Sequence, residues 1–322
     1  MCDLILTEIR HSQGWLYMGL LKSCTAESHR IPYGDHFTWS QMVRATGTPT
    51  RAPVIVLHGG PGMPHDYCRS MATLGNDGRN IIFYDQIGCG RSSLLPDAPS
   101  DFWTVELCGE ELRNLVEFYG LQGGFHILGH SWGGMLAPEY ALAYPGGILS
   151  MTLSNAPASM RLWVEGTDEL ISRLDEQVQK TIRAHEVAGT TDAPAYLEAV
   201  DVFYREYLCR VHPLPKDLQD SFEGHAENPA VYNTMSGPSE FTVNGTRKDW
   251  SVVDRLSQIK TPALVLAGEF DEAQPVAWQP FVDNLPNATS HVFPGASHST
   301  HLECPHDYFS LVGAFIRKHD RQ

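Results

Sequence analysis

The chain has 322 residues, of which 42% are hydrophobic and 19% charged, with a formal net charge of −15. That composition supports a large buried core and excludes a disordered, highly charged chain. The acidic balance repels phosphate backbones, so no nucleic-acid partner is expected, and it would weakly attract cationic substrates such as peptides with a free amine.

The opening stretch, Met1 to Trp15, is interrupted by Glu8, Arg10 and His11 and has no basic segment before it, which argues against a signal peptide. No apolar run approaches membrane-spanning length, so no membrane partner is expected either. Residues 1–30 carry no clear period and read as an N-terminal extension. Phe37–Val43 alternates as a half-buried strand does. Short, continuous apolar runs follow at Pro53–Leu57, Asn80–Tyr84, Phe125–Leu128, Leu149–Leu153, Ala263–Ala267 and His291–Phe293. Such runs, bounded by Pro and Gly, are what strands buried on both faces look like. Between them, Val105–Tyr119 has apolar residues at helical spacing, and Gly133–Tyr144 reads as a helix ended by Pro145-Gly146.

Strands alternating with helices predict an α/β fold with a mostly parallel central sheet flanked by helices. The alternation stops near Pro157 and resumes near Leu256. Residues 158–255 read as a helical cap, with amphipathic helices over Asp168–His185 and Ala195–Cys209. They divide the core into a first part, 1–157, and a second part, 256–322. A cap inserted there would lie over the C-terminal edge of the sheet, where open α/β sheets bind ligands.

The seven cysteines are scattered, with no CxxC pair, which fits a reduced cytoplasmic protein better than a disulfide framework. No Cys/His group has zinc spacing, and His185-Glu186 lacks the second histidine of HExxH, so neither a metal nor another cofactor is expected.

The sharpest motif is Gly129-His-Ser-Trp-Gly-Gly134. It matches G-x-S-x-G, follows a predicted strand and opens a predicted helix, the context that a nucleophile elbow requires. Ser131 is therefore the expected nucleophile, and it needs a base. In this arrangement the partners follow in the order acid, then histidine. Asp271 comes directly after the run Ala263–Ala267, and His298 follows the next apolar segment in Gly295-Ala-Ser-His298. Glu269, Glu272 and Asp85 are rival acids. His291, His301 and His306 are rival bases. The oxyanion needs two backbone donors. Trp132, after the nucleophile, supplies one, and Gly60 in His58-Gly-Gly-Pro-Gly62 the other.

Taken together, His58–Gly62, Gly129–Gly134 and Tyr84-Asp-Gln-Ile-Gly-Cys-Gly-Arg-Ser92 resemble the proline iminopeptidase family of α/β-hydrolases. So do Val231–Phe241, Gly245-Thr246 and Asp249-Trp250. The resemblance runs from about residue 31 to the C-terminus and is closest to tricorn-associated aminopeptidases and amino-acid amidases. It implies a serine hydrolase that releases N-terminal residues, often proline, from small peptides or amino-acid amides without a metal. It also implies that the substrate's free amine is bound by Glu240 and Glu272, with Tyr232 nearby. Residues 158–228 match no named motif, and the acyl side-chain pocket is expected there and beside Trp132. An esterase or natural-product tailoring hydrolase on the same scaffold, and a ligand-binding module without catalysis, are the alternatives.

Overall fold

The computed structural model describes residues 25–320. The extension expected over residues 1–30 therefore lies mostly outside the described residues. Where it overlaps them it is corrected, because Ala26–Tyr33 is a strand, β1, paired antiparallel with β2, His36–Val43. Only one β1 residue is buried, which is why no apolar period announces this edge strand.

The remaining strands are β3 (Val54–Leu57), β4 (Ile81–Asp85), β5 (Phe125–His130), β6 (Ile148–Ser154), β7 (Ala263–Gly268) and β8 (Ala288–Phe293). They form one sheet in the order β1-β2-β4-β3-β5-β6-β7-β8. β1, β2 and β4 pair antiparallel, and all later pairings are parallel. The chain leaves β3 toward β4 on one side and β5 lies on the other. At such a reversal, beyond the C-terminal ends of β3 and β5, open α/β sheets as a rule take their ligands.

Alternate residues of the central strands supply two separate cores. Ile55, Leu57, Ile127, Met151 and Val265 pack on one face against α1 (Val105–Phe118), α2 (Trp132–Ala143) and α8, the helix Pro275–Asn284. Val54, Val56, Leu128, Leu264 and Leu266 pack on the other, against a 3-10 run over His65–Asp77 and the C-terminal helix Pro305–Lys318. Period-2 alternation buried on both sides explains why these strands read as unbroken apolar runs.

Between β6 and β7 lie five helices: α3 (Met160–Ser172), α4 (Glu176–Ala188), α5 (Pro194–Tyr207), α6 (Lys216–Glu227) and α7 (Ala230–Met235). The single helix expected over 168–185 is thus two. Asp175 accepts a hydrogen bond from the Gln177 amide and caps a new helix there, and a side chain that starts a helix interrupts one already running. Leu170, Ile171, Ile182, Tyr196, Phe203 and Phe241 give the insertion a small core of its own.

Candidate active site

At the end of β5 the backbone of Ser131 takes φ 54°, ψ −120°. A non-glycine residue there is strained, and the strain is tolerated because the surroundings leave no alternative. A Cβ on Gly129 would lie 2.2 Å from the Gly133 carbonyl oxygen, and one on Gly133 would lie 2.1 Å from that of Leu57. Only glycine lets the turn pass between β3 and α2. The Ser131 amide donates to the Ser154 carbonyl at 2.9 Å, which fixes the elbow to β6.

His298 Nδ1 lies 2.7 Å from Asp271 Oδ1, with both residues buried. Asp271 also accepts from the Ala273 amide at 2.8 Å and from Asn155 Nδ2 at 2.6 Å. The sequence reading missed Asn155. It stands directly after β6 at φ 55° and spans Asp271, Thr300 and the Ser297 carbonyl. Its place after a strand's C-terminal end was the available signal. Asn155→Ala is expected to lower stability by about 2–3 kcal/mol in urea unfolding. It removes a bond to a buried carboxylate and places alanine at positive φ, where asparagine is favoured.

The rivals are engaged elsewhere. Asp85 holds the Nδ1 and backbone amide of His65 and the amide of Arg91. Glu269 accepts from the Gly295 amide. His301 Nε2 bonds the Tyr67 carbonyl, and His306 pairs with Asp307 at the surface. His291 is exposed.

The Gly59 amide is already committed to Tyr67 Oη at 2.7 Å. Gly60, at φ 106°, and Trp132, at the start of α2, have no hydrogen-bond acceptor for their amides among the described residues. The first amides of a helix lack intrahelical partners. Tyr67 Oη continues to His130 Nδ1 at 2.9 Å, and His130 Nε2 reaches the His298 carbonyl at 2.8 Å. This buried chain ties the loop after β3 to the elbow and to the His298 loop. On the opposite side His58 accepts the Gln86 amide at 2.9 Å, and Gln86 Oε1 accepts Trp132 Nε1 at 2.9 Å. Burial lowers His58 to about 4, so the ring is neutral and able to accept. The Trp132 indole is fully buried and braces the loop after β4.

The insertion closes over this region. The carbonyls of Tyr207 and Leu208, at the end of α5, accept the amides of His298 and Ser299. The Trp163 ring stands edge-on to His298 with centroids 5.8 Å apart, and its Nε1 donates to the Glu240 carbonyl at 2.6 Å. Tyr232 Oη donates to Glu240 Oε1 at 2.7 Å. Glu272 is buried, and among the described residues neither of its carboxylate oxygens has a hydrogen-bond partner. Its Oε1 lies 3.6 Å from His298 Nε2. Desolvation holds its pKa well above the usual carboxylate range, reinforced by the nearby charges of Glu240 and then Asp271. Tyr204, also missed in the sequence, is half-buried, and desolvation followed by the charges of Glu240 and Glu272 raises its hydroxyl well above its ordinary value. The geometry thus gathers Ser131, Asp271, His298, Gly60, Trp132, Glu240, Glu272 and Tyr232 at one end of the sheet. Among the described residues no cluster of His, Cys, Asp and Glu is suited to a metal ion.

Comparison with known proteins agrees with this architecture. Residues 52–305 match the family model described as the alpha/beta hydrolase fold. The chain is 37% identical over 266 residues to a proline iminopeptidase of Heyndrickxia coagulans, covering 82% of this chain and 90% of that one. It is similar to the crystal structure of a proline iminopeptidase of Mycobacterium smegmatis, with 48% identity, a TM-score of 0.84, and 91% and 98% of the two chains covered. The crystal structure of VinJ is 39% identical with a TM-score of 0.88, covering 91% of this chain and 99% of that one.

Proposed function

This chain belongs to the proline iminopeptidase family of α/β-hydrolases, and on that premise we propose that it is a serine aminopeptidase or amino-acid amidase that requires a free substrate amine. The observation that carries the amine requirement is Glu272. A buried carboxylate with two bare oxygens, beside a second glutamate, is costly until a cation joins it. An ammonium group has the charge and three donors for that place. Tyr232 orients Glu240 to share it.

With the amine held between Glu240 and Glu272, the carbonyl of the first residue faces Ser131. Ser131 Oγ attacks the carbonyl carbon as His298 Nε2 takes the hydroxyl proton. Asp271, fixed by Asn155 and the Ala273 amide, holds the imidazole's other nitrogen. The amides of Gly60 and Trp132 receive the oxyanion. His298 then donates its proton to the departing nitrogen, the C–N bond breaks, and an acyl-enzyme remains. Water, deprotonated by the same histidine, attacks the ester and releases the amino acid and Ser131. The free thiols of the five described cysteines support a cytoplasmic place of work. Among the described residues no helix is long and apolar enough to cross a membrane.

The test is hydrolysis of prolyl-, alanyl- and phenylalanyl-naphthylamide, each with a free and an acetylated amine. Free-amine forms are expected to be turned over at least about 100-fold faster, since acetylation removes the charge the two glutamates need. Equal rates would place the enzyme with esterases and hydrolases of blocked amides.

A further inference from the structure

Among the described residues two arginines are buried, and they are treated differently. Arg79 is enclosed by carboxylates of Asp77 and Asp320. Arg247 is 5% exposed, yet among the described residues no carboxylate comes within ion-pair distance of it, and Glu240 acts on it only from farther off. Its Nε donates to Ser236 Oγ at 3.0 Å, and its Nη1 faces the sulfurs of Met135 and Met160 at 3.2 and 3.5 Å. Thioethers are weak acceptors. The remaining contact is from Nη2 to the Gly60 carbonyl oxygen at 3.3 Å. The guanidinium carbon also lies 5.9 Å from the centre of the Trp132 ring.

A hydrophobic residue in place of an unpaired buried charge is ordinarily neutral or stabilising. No ion pair accounts for an arginine here, whereas two of its contacts point to a role, since they reach Gly60 and Trp132, the residues whose amides are assigned to the oxyanion. The position is also rigidly built. The amides of Gly245, Thr246 and Arg247 donate to the carbonyls of Ser236, Thr234 and Met235, and a Cβ on Gly245 would lie 2.4 Å from the Met235 carbonyl oxygen. Burial lowers the guanidinium's pKa, and the charge of Glu240 opposes the shift.

We propose that Arg247 is a positioning residue for the oxyanion hole, reaching from the insertion to pin the Gly60 carbonyl and to hold a fixed positive charge beside the Gly60 and Trp132 amides. This rests on the assignment of those amides as the oxyanion donors. The contribution grows as the carbonyl oxygen becomes negative, so it acts on kcat rather than on substrate binding.

Arg247→Met and Arg247→Lys test it through four readouts: kcat and KM on alanyl-naphthylamide, Tm, and the rate at which a fluorophosphonate labels Ser131. The reagent has no amine, so it does not use Glu240 or Glu272, but its phosphoryl oxygen enters the same hole. Arg247→Met is expected to keep or raise Tm, to keep KM within about threefold, and to lower kcat and labelling alike by about 10- to 100-fold. Arg247→Lys is expected to recover part of the loss. Parental kcat and labelling in Arg247→Met, or a loss confined to KM, would overturn the proposal. Should Arg247→Met misfold, Arg247→Lys decides: slower kcat and labelling at unchanged Tm support it, and parental kinetics overturn it. If no free-amine substrate is turned over, the aminopeptidase reading fails, while the labelling rates still report on Arg247.

Discussion

Ser131→Ala is expected to lower kcat/KM on alanyl-naphthylamide by about 10⁴-fold or more while leaving Tm within a few degrees of the parent. The large effect follows from the elbow. The strained backbone at φ 54° holds the serine at the start of α2, beside two amides without an acceptor among the described residues. No other hydroxyl occupies that turn. Alanine differs by one oxygen and tolerates the same backbone no worse than serine, so the fold keeps its reason to form. Residual hydrolysis would come from the oxyanion donors and the amine site acting on water. Steady-state kinetics and thermal unfolding of the purified variant check both halves of the expectation, and fluorophosphonate labelling should disappear. A variant that keeps most of its activity would remove Ser131 from the mechanism.

The second large effect is expected at Glu272, where function and stability should move in opposite directions. Glu272→Gln removes a charge that the ammonium needs, so kcat/KM for free-amine substrates should fall by about 10²- to 10³-fold. The same change should stabilise the empty enzyme at neutral pH. In the unfolded chain Glu272 ionises near its ordinary value of 4.5. In the folded protein desolvation, then Glu240 and Asp271, keep it protonated to a much higher pH. Below pH 4.5 both states carry the proton and the residue adds no pH dependence. As pH rises above that value, the unfolded chain releases the proton and the native state does not. Native stability is then lost by up to about 1.4 kcal/mol per pH unit until the folded group ionises. Glutamine has no such linkage. The gain in Tm of Glu272→Gln over the parent should therefore be near zero at pH 4.5 and should grow toward pH 8. Thermal unfolding across that range measures it, and a constant difference would show that Glu272 is ionised in the empty site.

These expectations meet at one site because the insertion and the core each bring half of it. Glu240, Tyr232 and Arg247 come from the segment between β6 and β7, while Glu272 and the Asp271–His298 pair come from loops after β7 and β8. On the reading proposed here, displacement of the insertion would impair amine capture and oxyanion stabilisation together. The anchoring of the His298 loop by the end of α5 opposes such displacement.

Much of this protein was legible in its sequence, for a physical reason. Strands buried on both faces must be apolar throughout, so β3 to β7 stand out as short runs between helical segments. The elbow admits only glycine at 129 and 133, so Ser131 is marked by its neighbours. Order along the chain then indicated Asp271 and His298. What the sequence did not disclose lies where the pattern is weak or the contacts are distant. β1 is an edge strand with one buried residue, and the break between α3 and α4 depends on a single cap at Asp175. Asn155 reaches Asp271 across 116 positions, His130 reaches His298 across 168, and Arg247 reaches Gly60 across 187. Periodicity records which face of its own element a residue lies on, and carries no information about what stands opposite. The sequence by itself determined the sheet, the elbow and the chemical types required. Only tertiary structure decided which histidine faces which acid, that Glu272 is buried with no hydrogen bond among the described residues, and that a cation from the insertion rests on the loop after β3.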